Sequence, residues 1–150
     1  MTMRVPHDSL ILVADGRKRL FFRNQGDAVS PDLSVIDAAE DKNPRTREQV
    51  TDSAGQAPSP LVGGIPVYAR ADAHQVEEDR FAAETADILG DHADRGDFTG
   101  LIVVAPAKTL GELRKHYNLS VKTKLIGEMA KDLTGHHVDE IEAMLVQHGE

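Results

Sequence analysis

Leu101-Ile102-Val103-Val104-Ala105 is five apolar residues in a row with no polar alternation. A strand exposed on one face alternates apolar with polar, so an unbroken short run predicts a strand covered on both faces, as in a sheet sandwiched by helices. Pro106 ends it. No apolar run in the chain is longer, and the roughly 20 residues needed to span a bilayer are never reached. No membrane association is expected.

Leu10-Ile11-Leu12-Val13-Ala14 is a second run of this kind, and Leu20-Phe21-Phe22 follows it across Asp15-Gly16. Asp-Gly between apolar runs predicts a hairpin, because glycine accepts positive φ without a Cβ clash. The expected strands cover about 9–15 and 18–24. Asn24-Gln25-Gly26-Asp27 is a second turn cluster, and Leu33-Ser34-Val35-Ile36-Asp37 reads as a third strand. Three strands with short turns predict an antiparallel meander.

From Glu40 to Arg70 the pattern stops. Pro44, Pro58, Pro60 and Pro66 break any helix or central strand, and Gly55, Gly63 and Gly64 add freedom. A polar loop over about 41–70 is expected, and loops of that length are usually functional or disordered. Beyond Asp72, Val76, Phe81, Ala82, Thr85, Ile88 and Leu89 fall near helical spacing, which predicts an amphipathic helix over about 73–92 that ends near Gly96. Thr109-Leu110-Gly111-Glu112 matches a capping box, with Leu110, Leu113 and Tyr117 as the buried stripe. Residues 121–133 fit two patterns. Val121, Leu125, Met129 and Leu133 recur every four, yet Leu125 to Ala130 also suits a strand, and a strand over about 124–131 is expected. The last helix is expected over about 137–147, with Val138, Ile141, Met144 and Leu145 inward and Asp139 and Glu140 in its first turn, where the helix dipole favours acids. The order β-β-β-loop-α-β-α-β-α predicts an α/β domain: a mixed sheet of about five strands flanked by helices. At 150 residues, one domain is the natural size.

The formal charge is −8, so a protein that meets nucleic acid over its whole surface is excluded. The charge is uneven. Residues 72–100 hold nine acids and two bases, whereas 101–131 hold two acids and six bases: Lys108, Arg114, Lys115, Lys122, Lys124 and Lys131. They are candidates for a local basic face, against the plainer reading that they neutralise the acidic helix nearby. With no cysteine, disulfides, a thiol nucleophile and thiolate metal sites are excluded. The N-terminus has no apolar signal core, so a cytoplasmic protein is expected.

Few patterns carry chemistry. None of the seven histidines has the spacing of a helical zinc site, and His136 and His137 are neighbours whose side chains diverge, so no metal is expected. There is no phosphate-cradling glycine loop and no Gly-x-Ser-x-Gly elbow. Neither a cofactor nor serine catalysis is expected. Asp15, Asp37 and Asp132 fall at or near strand ends, where carboxylates can gather around magnesium. Each is also explained locally, by a turn, a strand end and a helix lead. In the long loop, Asn43-Pro44-Arg45-Thr46-Arg47-Glu48-Gln49 carries two bases among hydrogen-bonding side chains, and Gly55-Gln56 follows. Residues 41–67 hold no aromatic side chain to stack on bases.

Four stretches occur together in order: Val13-Ala14-Asp15-Gly16; Asn43-Pro44-x-Thr46-Arg47-Glu48-Gln49-x-Thr51-Asp52; Leu101 to Pro106 with Thr109-Leu110-Gly111-Glu112-Leu113-Arg114; and Lys131-Asp132-Leu133-Thr134 with Val138-Asp139-Glu140-Ile141. In these the chain resembles the bacterial host-attachment protein family, which is similar in fold to the middle domain of archaeal and eukaryotic class-one peptide-chain release factors. The resemblance implies a release-factor-like scaffold and a translation-related setting. In the release factors the long loop presents Gly-Gly-Gln to the peptidyl-tRNA ester. Here the loop has Ala54-Gly55-Gln56, so the scaffold carries over and the hydrolytic activity does not. The expectation is a non-catalytic module that displays the loop to RNA or the ribosome, with tRNA as one form of that partner. Arg45, Arg47, Gln49 and Gln56 are the expected contacts, with Lys108, Arg114 and Lys115 in support. Two alternatives stand beside it: ester hydrolysis with Gln56 orienting a water, and an indirect part in attachment of bacteria to host cells.

Overall fold

The computed structural model describes residues 5–41 and 67–148, with side chains over 73–147 in the second stretch. The first stretch forms β1 (Leu10–Ala14), β2 (Lys18–Asn24) and β3 (Leu33–Glu40). The second forms α1 (Val67–Arg95), β4 (Leu101–Ala105), α2 (Ala107–Arg114), α3 (Leu119–Lys124), β5 (Leu125–Ala130) and α4 (Val138–His148). The five strands make one mixed sheet in the order β3-β2-β1-β4-β5. The meander β1-β2-β3 is antiparallel, and β1-β4 and β4-β5 are parallel.

The unbroken apolar strands behave as their composition demands. Every residue of β1 and β4 is buried, because helices cover both faces of the sheet. On one face Leu10, Leu12, Phe21, Leu101 and Val103 pack with Ala82, Ala86 and Leu89 of α1, Leu110 and Leu113 of α2 and Val121 of α3. On the other, Ile11, Val13, Phe22, Ile102 and Val104 pack with Met129, Leu133 and with Ile141 and Leu145 of α4. Adjacent strand residues point to opposite faces, so one sheet seeds two cores.

Several local expectations are corrected. The hairpin after β1 is set by the aspartate: Asp15 Oδ1 accepts from the backbone N–H of both Arg17 and Lys18 at 2.7 Å. Among the described residues only Asp8 and Gly96 have positive φ, so Gly16 is not there for its backbone freedom. A Cβ at Gly16 would instead run into the Glu78 carboxylate of α1. The capping box is not formed. The chain passes from β4 to α2 through Pro106 alone, so Thr109 already lies inside the first turn, and no side chain caps that end. Glu112 turns to Lys115 Nζ at 2.9 Å. α3 was not anticipated, although its signal was present: Asn118 caps it by accepting from the N–H of Val121 at 2.8 Å. The four-residue recurrence over 121–133 is therefore split between a helix and a strand. α1 and β3 both run longer than expected, and Val76 is exposed.

Candidate functional site

Three parallel strands end at the same edge of the sheet, and each hands over a polar segment there. Asp15, Gly16 and Arg17 follow β1; Pro106, Lys108 and Thr109 follow β4; Asp132 comes two residues after β5. With Glu78 of α1 they line an open cleft of about 310 Å³. β1 turns back into β2 by a hairpin, whereas the helical connections from β3 to β4 and from β4 to β5 both advance across the sheet in one direction, so the cleft lies where the parallel strands β1, β4 and β5 end. Open α/β sheets bind ligands at that point, outside the carboxyl ends of the strands.

The wall of the cleft is braced by Thr134, which is 7 % exposed. Its Oγ1 lies 2.8 Å from Asp15 Oδ2 and 2.8 Å from Asp132 Oδ1. Asp132 Oδ1 also accepts from the backbone N–H of Thr134 at 3.2 Å. A hydroxyl has one proton to donate, so it serves one carboxylate at a time. Lys108 and Glu78, which also line the cleft, make no side-chain hydrogen bond or ion pair among the described residues. Arg17 Nη2 is 3.4 Å from His74 Nδ1. The cleft thus presents cations and carboxylates together.

Of the three aspartates singled out from the sequence, the fold brings Asp15 and Asp132 together. Asp37 lies on the edge strand β3, two strands from β1, and its carboxylate accepts from the N–H of Ala38. Among the described residues no group of three or more histidines and carboxylates is arranged to hold a metal ion. His136 and His137 point to different partners, Glu140 and Asp139.

Of the six basic residues of 101–131, Arg114, Lys115 and Lys124 are engaged by other groups. Arg114 grips Glu128 of β5 with Nη2 at 2.8 Å and Nε at 3.1 Å. Lys115 pairs with Glu112, whose carboxyl is held below the usual range first by that hydrogen bond. Lys124 Nζ donates to the Phe98 carbonyl at 3.0 Å. Lys108 remains at the cleft. Beside the Arg114–Glu128 pair, burial pushes the Tyr117 hydroxyl up from its ordinary value, and the Glu128 charge adds to the shift. Arg45, Arg47, Gln49 and Gln56 lie outside the described residues.

Arg17, Glu78, Thr109 and Thr134 were not singled out as site residues. A signal for two of them was available: Thr109 and Thr134 fall within the stretches that carried the family resemblance. Val13 to Gly16, Leu101 to Arg114 and Lys131 to Thr134, far apart in the chain, all meet at this cleft.

A family model described as bacterial archaeo-eukaryotic release factor family 12 matches residues 8–145. Two solved structures are similar at low identity. One is an archaeal translation termination factor, aRF1, at 12 % identity and a TM-score of 0.47, covering 93 % of this chain and 37 % of that one. The other is described as an archaeal protein, at 14 % identity and a TM-score of 0.43, covering 93 % of this chain and 36 % of that one. The chain therefore spans little more than a third of the length of either. No curated protein matches. None of these matches carries the host-attachment name.

Proposed function

The chain belongs to bacterial archaeo-eukaryotic release factor family 12, and from that premise we propose that it is a translation-related module that binds RNA or the ribosome without catalysing a reaction. The observation that carries this reading is where the 42–66 stretch is attached. β3 runs in the same direction as β1, so it ends at the edge that holds the cleft, where the N–H of Asp41 donates to the Arg17 carbonyl at 2.6 Å. α1 begins at the same edge, with His74 beside Arg17 and Glu78 beside Gly16. The stretch that contains Arg45, Arg47, Gln49 and Gln56 thus leaves the scaffold beside Arg17 at Asp41, and the helix that it enters at Val67 passes Arg17 about two turns further on.

A rigid sheet that holds out a polar connection is a common way to present binding residues. The net charge of −8 makes the contact local, because the rest of the surface repels phosphate. Lys108 supports the contact. Arg114 and Lys115, each engaged by a carboxylate, offer less free charge. Among the described residues no helix is long and apolar enough to cross a membrane. No specific observation favours hydrolysis through Gln56 or a part in host attachment.

The test is binding of the full chain to ribosomes and to tRNA over a range of salt. Arg45→Ala with Arg47→Ala is expected to weaken binding and to flatten the salt slope by about two counterions. Unchanged affinity and slope in the double variant would overturn the loop as the contact.

A further inference from the structure

We propose that the cleft at the carboxyl ends of β1 and β4 is a site for a ribose phosphate, with the phosphate on Lys108, Arg17 and Thr109 and the vicinal hydroxyls on Asp15 and Asp132. The chemistry of the lining selects this ligand. Lys108 has no carboxylate partner among the described residues, and it stands with Arg17 and the Thr109 hydroxyl as a set of donors for an anion. Thr134 holds Asp15 and Asp132 to one hydroxyl. Backbone N–H groups already occupy Asp15 Oδ1 and reach Asp132 Oδ1, so the oxygens that can accept from a ligand are Asp132 Oδ2 and, when the hydroxyl turns to Asp132, Asp15 Oδ2. A simple anion would be repelled by these acids, and a simple cation by Lys108 and Arg17. A molecule with an anionic end and a hydroxylated end satisfies both.

The volume of about 310 Å³ suits so small a ligand. The position, outside the carboxyl ends of parallel strands, is one where α/β sheets take ligands. The inference is separate from the loop reading, since none of its residues lies in 42–66.

The same chemistry occurs in a free ribonucleotide and at the 3′ end of an RNA. The test is an NMR titration of the full chain, labelled with nitrogen-15, using ribose 5-phosphate, 2-deoxyribose 5-phosphate and a short RNA with a free 3′ end. Ribose 5-phosphate is expected to shift the amides of Gly16, Lys108 and Thr109. Loss of one hydroxyl in the deoxy sugar is expected to weaken binding about fivefold. Lys108→Gln and Asp132→Asn, both at exposed positions, are each expected to weaken it by a similar factor, whereas Arg45→Ala with Arg47→Ala leaves it unchanged. Tighter binding of the RNA than of the sugar phosphate identifies the RNA end as the source, and equal or weaker binding identifies the free ribonucleotide. No shift with ribose 5-phosphate, equal affinity for the deoxy sugar, or no effect of Lys108→Gln would each overturn the proposal.

Discussion

Thr134 Oγ1 and Asp15 Oδ2 are 2.8 Å apart across 119 residues of chain. The contact ties the hairpin after β1 to the segment that follows β5, so the two outermost parallel strands are joined at one edge by a buried hydroxyl. Asp132 Oδ1 is equally close to the same oxygen.

Thr134→Val removes that donor and keeps the shape. The expected loss is about 1 kcal/mol in urea unfolding, because both carboxylates reach water and the desolvation cost is small. Thr134→Ser, which retains the hydroxyl, is expected to lose less. A valine variant as stable as the parent would show that the bond contributes nothing.

Arg19 of β2 is buried under α1, over the Phe81 ring at 4.8 Å to its centre. Nη1 donates to Thr85 Oγ1 at 3.2 Å and Nη2 to Glu84 Oε1 at 3.1 Å, while Nε has no partner among the described residues. Arg19→Met relieves the unpaired donor and keeps apolar contact with Phe81, so its cost is expected to be below about 1 kcal/mol. Thr85→Val leaves the guanidinium in place with a further unmet donor, and is expected to cost about 1–3 kcal/mol. The order of the two unfolding midpoints decides between these effects.

The Asp97 carboxyl is held below its ordinary value of 3.8, first by its hydrogen bond with His92 and next by that with Arg95. A carboxyl depressed by folding stabilises the native state above its unfolded pKa. That contribution is lost as pH falls through the lower folded value. Stability is therefore expected to decline with acid below about pH 4, and Asp97→Asn is expected to make that decline shallower. Thermal melts of both proteins from neutral pH to pH 3 measure this.

Glu128 accepts from Arg114 and lies 3.4 Å from the Tyr117 hydroxyl. Burial is the main cause of the upward shift of Tyr117, and the Glu128 charge is the next. Glu128→Gln is therefore expected to bring the titration of Tyr117 down while leaving it above that of free tyrosine. An ultraviolet titration of the phenolate follows this, and no movement at all would show that the Glu128 charge is not felt.

The amino-acid order by itself determined the elements whose signal is local. Unbroken apolar runs made β1 and β4 central, short apolar runs between turn clusters made the meander, and helical spacing marked α1 and α4, since the side-chain periods of strands and helices follow from backbone geometry. Where two local signals overlapped, as over 121–133, or where a one-residue turn at Pro106 shifted a helix start, tertiary packing chose. The tertiary structure alone decided the site. It joined Asp15 to Asp132 and left Asp37 at the far edge, and it gave Arg114 a carboxylate partner while leaving Lys108 without one among the described residues. The physical reason is that the order of strands across the sheet differs from their order in the chain, so parallel strands bring distant turns to a common edge that no local pattern encodes.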